Sequence, residues 1–424
     1  MNTEVRSVIT CDLEGRIETF SAGAQKMFGY SEDEIVGKKR VSLFSPGLVV
    51  LGHINTWLGT AVKEGKFETN TVFLKKDGSP FAAQIKITPT FKAGQQIGYC
   101  GVTLERPDLS VEQAMPKISG LTKFFGWLVV TRAPFLTAAL VPVFLAGAWA
   151  ALTATFSWGL FGLTALTAML LHVSANCFND YFDWKSGADE ANNNYFLPYS
   201  GGSRSIELGL TTPPKLLTIA LVALALAGAA GGYLLWLRGL PLFWFGLAGA
   251  ASGFFYTAPP LRLVARKGLG ELLVALNFGP LMTAGTVLAV TGRVTLADFL
   301  IGIPLGLLTT AILWINEFPD LESDRATGKT NLVVVLGREK ARYGFAVLLG
   351  AAFAALIALV AAQLLPVGAL AGLLALPMAW KAASTAIAHH SDRQLVKANA
   401  GTINLHMAAG VLMALGTAAH VWLR

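Results

Sequence analysis

The sequence predicts a multi-domain protein: a soluble α+β domain followed by an all-α polytopic membrane bundle of nine transmembrane helices. Composition is the first ground. The 424 residues are 54% hydrophobic and 14% charged, too apolar for a soluble chain of this length. Distribution is the second. Residues 1 to about 123 mix polar and apolar positions as soluble domains do, and the remainder is a series of long apolar runs. The net charge of +7 calls for no nucleic acid, because most Lys and Arg of the second half fall in alternate loops, as the positive-inside rule describes. Cys11, Cys100 and Cys177 stand at no metal-ligand or disulfide-framework spacing. The opening Met-Asn-Thr-Glu-Val lacks a charged segment followed by an apolar one, so no cleavable signal peptide is expected.

In the soluble part, residues 7–21 alternate around a Glu14-Gly15 turn, which predicts a hairpin. A short helix is expected over 22–28. Ser31 with Glu34 three residues on is a capping box opening another. Residues 48–63 have helical spacing, ended by Gly65. Then 69–74, 81–88 and 97–104, separated by Lys76-Asp77-Gly78 and a Gly94 turn, read as three antiparallel strands. The stretches Asp12-x-x-Gly15-Arg16-Ile17-x-x-Phe20, Met27-Phe28-Gly29-Tyr30-Ser31-x-x-Glu34-x-x-Gly37 and Lys76-Asp77-Gly78 resemble a PAS domain over residues 5–106. That resemblance implies ligand sensing, haem or flavin binding, or a homodimer contact, and leaves the PAS ligand unknown. His53 is the candidate haem ligand. The Asn-Cys-Arg tripeptide of flavin photochemistry does not occur. Residues 107–123 form a polar linker leading to the aromatic cluster 124–127, suited to a membrane interface.

The second part divides into nine apolar spans of bilayer-crossing length: 128–154, 158–180, 216–237, 240–257, 270–290, 297–317, 343–363, 366–387 and 401–422. The N-terminal side and the loops after even-numbered spans carry the basic residues, from Arg132, Lys185 and Arg204 through Arg262, Lys267 and Lys329 to Arg393; the opposite loops hold little beyond Arg238 and Arg293. This asymmetry places the N-terminus and the exits of the even-numbered spans in the cytoplasm, and the C-terminus outside.

Two stretches carry the chemistry. Asn176, Asp180 and Asp183 share one helical face at the end of an apolar run. Asn316, Asp320 and Asp324 do the same at the end of another, with Glu317 and Glu322 between them. Ionisable residues at membrane depth are costly and mark functional sites. Two acidic faces at span ends suit divalent cations, whose shell substrate phosphates complete. Basic loops lie on the same side: Tyr199-Ser200-Gly201-Gly202-Ser203-Arg204, whose backbone amides and guanidinium suit a phosphate; Tyr256 to Glu271, with Arg262 and Lys267; and 320–337, with Lys329.

These motifs, Asn179-Asp180-Tyr181-Phe182-Asp183-x-x-x-Gly187-x-Asp189, Asn316-Glu317-Phe318-Pro319-Asp320-x-x-x-Asp324-x-x-x-Gly328-Lys329 and Tyr256…Gly268-Leu269-Gly270-Glu271, resemble the UbiA superfamily of intramembrane prenyltransferases over residues 125–424. The nearest branch is the 1,4-dihydroxy-2-naphthoate prenyltransferases of menaquinone synthesis. Gly187 stands where the broader superfamily has an Asp, and the acid falls at Asp189. The resemblance implies a nine-helix bundle around a cavity opening to lipid, with Mg2+ bridging the acids to a polyprenyl diphosphate. On this reading Asp180, Asp183, Asp320 and Asp324 hold Mg2+, with Glu317 a further metal ligand. Asn176, Asn179 and Asn316 bind the metal or the diphosphate, Lys185, Arg204, Arg262, Lys267 and Lys329 neutralise the diphosphate, and Tyr256 offers its ring face to cationic charge. Gly246, Gly249, Gly253, Gly279 and Gly285 allow close helix packing or room for the isoprenoid tail.

The expected domains are 1–110 (PAS), 111–126 (linker) and 127–424 (prenyltransferase in the cytoplasmic, inner membrane). An ion-coupled transporter using the same carboxylates, or a lipid-binding membrane sensor, is the alternative. Transporters show Gly/Pro-broken helices at mid-span, whereas these acids sit at span ends beside basic loops.

Overall fold

The computed structural model describes residues 5–192, 195–196 and 199–422. Residues 1–4, on which the signal-peptide expectation rests, lie outside them. The chain divides into two compact units, Met1–Val130 with Arg204–Thr212, and Thr131–Ser203 with Pro213–Arg424.

The first unit is built on a five-stranded antiparallel sheet of order β2-β1-β5-β4-β3, with β1 Arg6–Asp12, β2 Ile17–Phe20, β3 Phe67–Leu74, β4 Pro80–Lys92 and β5 Gln95–Glu105. The alternation in the sequence sets its two faces: Ile9, Ile17 and Phe20 turn inward with Phe73 and Phe81. Between them α1 (Ala22–Phe28) brings Phe28, whose ring lies 4.3 Å from Phe44 and 5.6 Å from Phe81. Ser21 starts α1 by accepting from the amides of Ala24 and Val8, at 3.2 and 3.0 Å. The helix expected over 48–63 runs from Gly47 through a π turn at Val50–Ile54 into α2, Asn55–Glu64. Its His53, the candidate haem ligand, is half-buried, with Nε2 3.2 Å from the Lys117 carbonyl and the ring stacked on Trp57. Apolar α3 (Gly120–Val130) exposes Phe124, Phe125 and Trp127. The segment Arg204–Thr212 packs here too: the Leu208 carbonyl lies against Gly47 and Leu210 near Gly126.

The second unit has, among the described residues, eight helices long and apolar enough to cross a membrane: α4 Ala133–Thr153, α5 Trp158–Lys185, α6 Pro213–Arg238, α8 Leu269–Thr291, α9 Leu296–Ala326, α10 Arg338–Ala361, α11 Val367–His389 and α12 Arg393–His420. The expected span 240–257 is α7, Leu240–Phe255, with 16 residues. At 1.5 Å per residue it reaches about 24 Å, short of a hydrocarbon core of about 30 Å. Among the described residues, eight of the nine expected spans thus have bilayer-crossing length, and the remaining one is this shorter apolar helix.

Packing centres on α9, whose Leu305, Leu308, Ile315 and Phe318 meet Phe345 and Leu356 of α10 and Leu405 of α12. α8 breaks at a π turn, Asn277–Leu281, where Pro280 lacks the amide that would continue the ladder. There Gly279 lies backbone to backbone against Gly302 and Gly306, closer than any Cβ permits. At the end of the unit away from the acids, Arg238 donates to the Ala289 and Val290 carbonyls (2.8 and 2.6 Å) and Arg293 to the Thr153 carbonyl (2.6 Å), capping two helix ends.

Two outcomes are expected. Gly302→Val, whose side chain must displace the Gly279 backbone, lowers the thermal midpoint of the detergent-solubilised protein by several degrees, checked by differential scanning fluorimetry. Glu34, bonded to Lys76 Nζ at 2.6 Å and to the Ser31 amide at 3.0 Å, has its carboxyl pulled down from 4.5 to about 2 by the lysine first and the amide second. A depressed carboxylate supports folding above its free value, and that support fades as pH falls toward 2. Carboxyl NMR of Lys76→Met is expected to show Glu34 titrating higher than in wild type and still below its free value, because the Ser31 amide remains.

Candidate active site

The two acidic motifs lie on the last turns of α5 and α9. α9 reaches its site through Pro319, which leaves the Ile315 carbonyl without its helical donor. Asn399 of α12 supplies one at 3.1 Å, and the same amide holds the Asn316 side chain at 2.7 Å. A break in the helix is thus converted into a fixed position for the first residue of the motif.

The motifs meet at Lys329. Its ammonium is 2.7 Å from Asp183 and 4.0 Å from Asp324, and the residue is 8% exposed. Burial alone would favour the neutral amine, but Asp183 and then Asp324 outweigh it and hold the group above the ordinary lysine value. Asn331 donates to Asp324 at 2.8 Å. Asp180 lies deeper, 4% exposed, against Arg132 at 3.1 Å. The loop expected to present amides to a phosphate here turns them to carboxylates: the Gly201 N–H bonds Asp320 at 3.1 Å and the Ser203 N–H bonds Asp180 at 3.3 Å. Asn192 donates to Asp320 as well, at 2.7 Å. Gly202, at φ 76°, sits so close that a Cβ would come within 2.9 Å of Asp180 and 3.1 Å of Arg132. Only glycine suits both the backbone and the space.

A cavity of about 720 Å³ opens from this cluster. Asn176, Asn179, Asp183, Tyr256, Asn316, Glu317, Asp320, Asp324 and Lys329 line it. Glu317 is 5% exposed with neither carboxylate oxygen partnered, and the Asn176 amide nitrogen and the Tyr256 hydroxyl are buried without partners. Beyond them the walls are apolar, from Leu171 and Leu224 to Phe243 and Leu281. Thr164 also lines the cavity; it precedes Asp183 by 19 residues of α5, so the space extends about 28 Å along that helix. Of the five glycines with two readings, Gly246, Gly249, Gly253 and Gly285 line the cavity, and Gly279 serves packing.

Four expected diphosphate ligands fall outside the lining. Lys185 is exposed, its ammonium 5.9 Å from the Tyr181 ring, because it lies on the face of α5 away from Asp183. Arg204 is buried but directed to Glu207 at 3.0 Å. Lys267 is exposed, and its backbone amide bonds the Thr330 carbonyl at 2.8 Å. Arg262 takes a left-handed turn at φ 42° next to a short helical turn, clear of the cavity. Glu322 is also turned out, within 4 Å of Arg325 and Arg338. Sequence reasoning did not single out Arg132, Asn192, Asn331 or Asn399 for the site. Arg132 looked like a positive-inside anchor, and an isolated Asn in a loop or span carries no spacing signal.

Among the described residues no three His, Cys, Asp or Glu side chains are arranged to hold a metal ion by themselves. The donors are nevertheless hard oxygens, two of them sharing one ammonium and two more unpartnered on Glu317. That set fits Mg2+, which binds through one or two carboxylates and completes its shell with phosphates and water.

Comparison with known proteins identifies two domains. A profile described as the UbiA prenyltransferase family matches residues 139–408, and one for the PAS domain matches residues 5–105. The chain is 29% identical over 225 residues to 1,4-dihydroxy-2-naphthoate octaprenyltransferase of Bacillus subtilis, covering 53% of this chain and 69% of that one. It is 29% identical over 279 residues to the Mycobacterium tuberculosis protein of the same name, covering 65% and 91%. Among solved structures, the apo UbiA homolog from Aeropyrum pernix K1 aligns over 67% of this chain and 97% of that one at 18% identity, with a TM-score of 0.48. The chain belongs to the UbiA prenyltransferase family and carries a PAS domain ahead of its membrane helices.

Proposed function

We propose that this protein transfers a polyprenyl group from a prenyl diphosphate to an aromatic acceptor of the 1,4-dihydroxy-2-naphthoate type, within the membrane. The observation that carries this reading is Lys329 between Asp183 and Asp324 at the mouth of a long apolar cavity. Relatives named for naphthoate prenyl transfer supply the acceptor class. Asp183, Asp320, Asp324 and Glu317, with Asp180 behind them, would hold Mg2+. When bound, Mg2+ offsets the charge of the diphosphate and weakens its bond to carbon.

The residues of the chain account for the rest. Lys329 moves from its carboxylates to the diphosphate as the substrate enters, and Arg132 and the loop amides of Gly201 and Ser203 keep Asp180 and Asp320 in place. Asn176, Asn179 and Asn316 offer amides to the same head group. The carbon–oxygen bond breaks with its electron pair leaving on the diphosphate. The allylic cation is attacked by an electron-rich ring carbon, and the ring regains aromaticity by losing the group that carbon carried: a proton where it bears hydrogen, or CO2 in place of the proton where it bears the carboxylate of a dihydroxynaphthoate. The apolar walls keep water from the cation, and the Tyr256 ring stands at the cavity edge where cationic charge passes. The tail occupies the apolar stretch, where Gly246, Gly249, Gly253 and Gly285 leave room.

In this reading residues 127–424 form the catalytic domain in the cytoplasmic (inner) membrane, with α7 completing nine crossings and the acids on the cytoplasmic face. Residues 1–110 form a regulatory PAS domain and a homodimer contact, joined through 111–126.

Purified protein with geranylgeranyl diphosphate, Mg2+ and a panel of aromatic acceptors is expected to release diphosphate and yield prenylated product. Chelation with EDTA abolishes turnover, and added Mg2+ restores it. Asp183→Asn and Asp324→Asn each lower kcat/KM by about 100-fold or more, near 2.7 kcal/mol of transition-state stabilisation. Diphosphate release unaffected by either substitution excludes the assignment. Deletion of residues 1–110 leaves measurable transfer, read in the same assay.

A further inference from the structure

His172 is one turn before Asn176 on the same face of α5 and two turns or more from Asp180 and Asp183 along that helix. It is 9% exposed, lines the cavity, and its Nδ1 is buried without a hydrogen-bond partner. Its ring lies 4.9 Å from that of Phe278, tilted by 58°. Phe278 sits on the π turn of α8 and lines the same cavity. π turns inside helices recur at functional sites. The residue beside it, Asn277, also lines the cavity and accepts from the Ser252 hydroxyl at 2.9 Å. A polar node with an aromatic wall therefore stands inside otherwise apolar walls, separate from the acids.

A hydrocarbon tail offers nothing to an imidazole nitrogen, and an unpartnered polar atom in such surroundings is unfavourable. A diphosphate is held a turn or more away, at the acids. The remaining reactant is the ring that is prenylated. With its reacting carbon against the allylic carbon, a fused ring extends from the acid end toward His172. Its oxygen substituents are the groups that exchange hydrogen bonds with an imidazole, and Phe278 packs on its face.

We propose that His172 binds the ring hydroxyl of the aromatic acceptor and, with Phe278, sets acceptor specificity. This rests on the prenyl-transfer reading for its substrate class. The metal and the diphosphate play no part in it.

The test uses the full-length protein in detergent and the fluorescent probe 1-hydroxy-2-naphthoate, with 2-naphthoate as the analogue lacking the hydroxyl. For H172L the dissociation constant of the hydroxynaphthoate is expected to rise about tenfold or more, the scale of one hydrogen bond. H172Q, which keeps a donor and an acceptor, restores binding to within about threefold of wild type. The hydroxyl-free analogue binds wild type and H172L alike. In turnover, the acceptor KM rises in H172L and the prenyl diphosphate KM does not change. Equal hydroxynaphthoate binding by wild type and H172L, no binding by wild type, or a matching rise in the prenyl diphosphate KM overturns the proposal. Binding that follows the expected pattern while wild type prenylates no acceptor sinks the prenyl-transfer reading and leaves the role of His172 standing.

Discussion

One buried ammonium organises the membrane unit. Lys329 joins the last turns of α5 and α9 through Asp183 and Asp324, and without a positive group there the two acids would repel across a poorly solvated gap. The rest of the site follows from giving each buried carboxylate a cation or an amide to face. Arg132 does the same for Asp180, and neutral amides from Asn192, Gly201 and Asn331 complete Asp320 and Asp324. On the proposed reading, each of these partners is also a group that a diphosphate and its cation would replace.

Much of this was legible because helical periodicity is strict. Asn176, Asp180 and Asp183 had to share a face, as did Asn316, Asp320 and Asp324, and both sets stood at span ends. The alternation of β1 and β2 and the caps at Ser21 and Ser31 located the first sheet and helices equally well. What escaped depended on rotation and on distant pairing. Lys185 is two residues past Asp183, which turns it about 200° around the helix and out of the cavity. Arg204 and Lys267 read as phosphate ligands by charge, but a local carboxylate and the course of the backbone turned them elsewhere. Asn399 could not be read at all, since its role exists only because Pro319, far away in sequence, leaves a carbonyl bare. The 16-residue length of α7 was not legible, because hydropathy measures apolar content and not where a helix ends.

Irregular helix geometry does much of the shaping. Pro280 and Gly279 let α8 bulge beside α9, and Pro319 opens α9 to a bond from α12. In a bilayer such breaks are tolerated only where protein groups satisfy the freed backbone. Here they coincide with the cavity and its mouth, so the helix irregularities and the cavity are two aspects of one packing solution.

The segment Arg204–Thr212 belongs to the compact unit of the N-terminal sheet, yet in the chain it directly follows Ser203, whose amide holds Asp180. The chain therefore passes between the two units three times. Replacing the PAS domain of this chain would mean matching a nine-residue strip with Leu208 and Leu210 in it, and an exchange that ignored it would leave that strip without a home one peptide bond from the amide that holds Asp180.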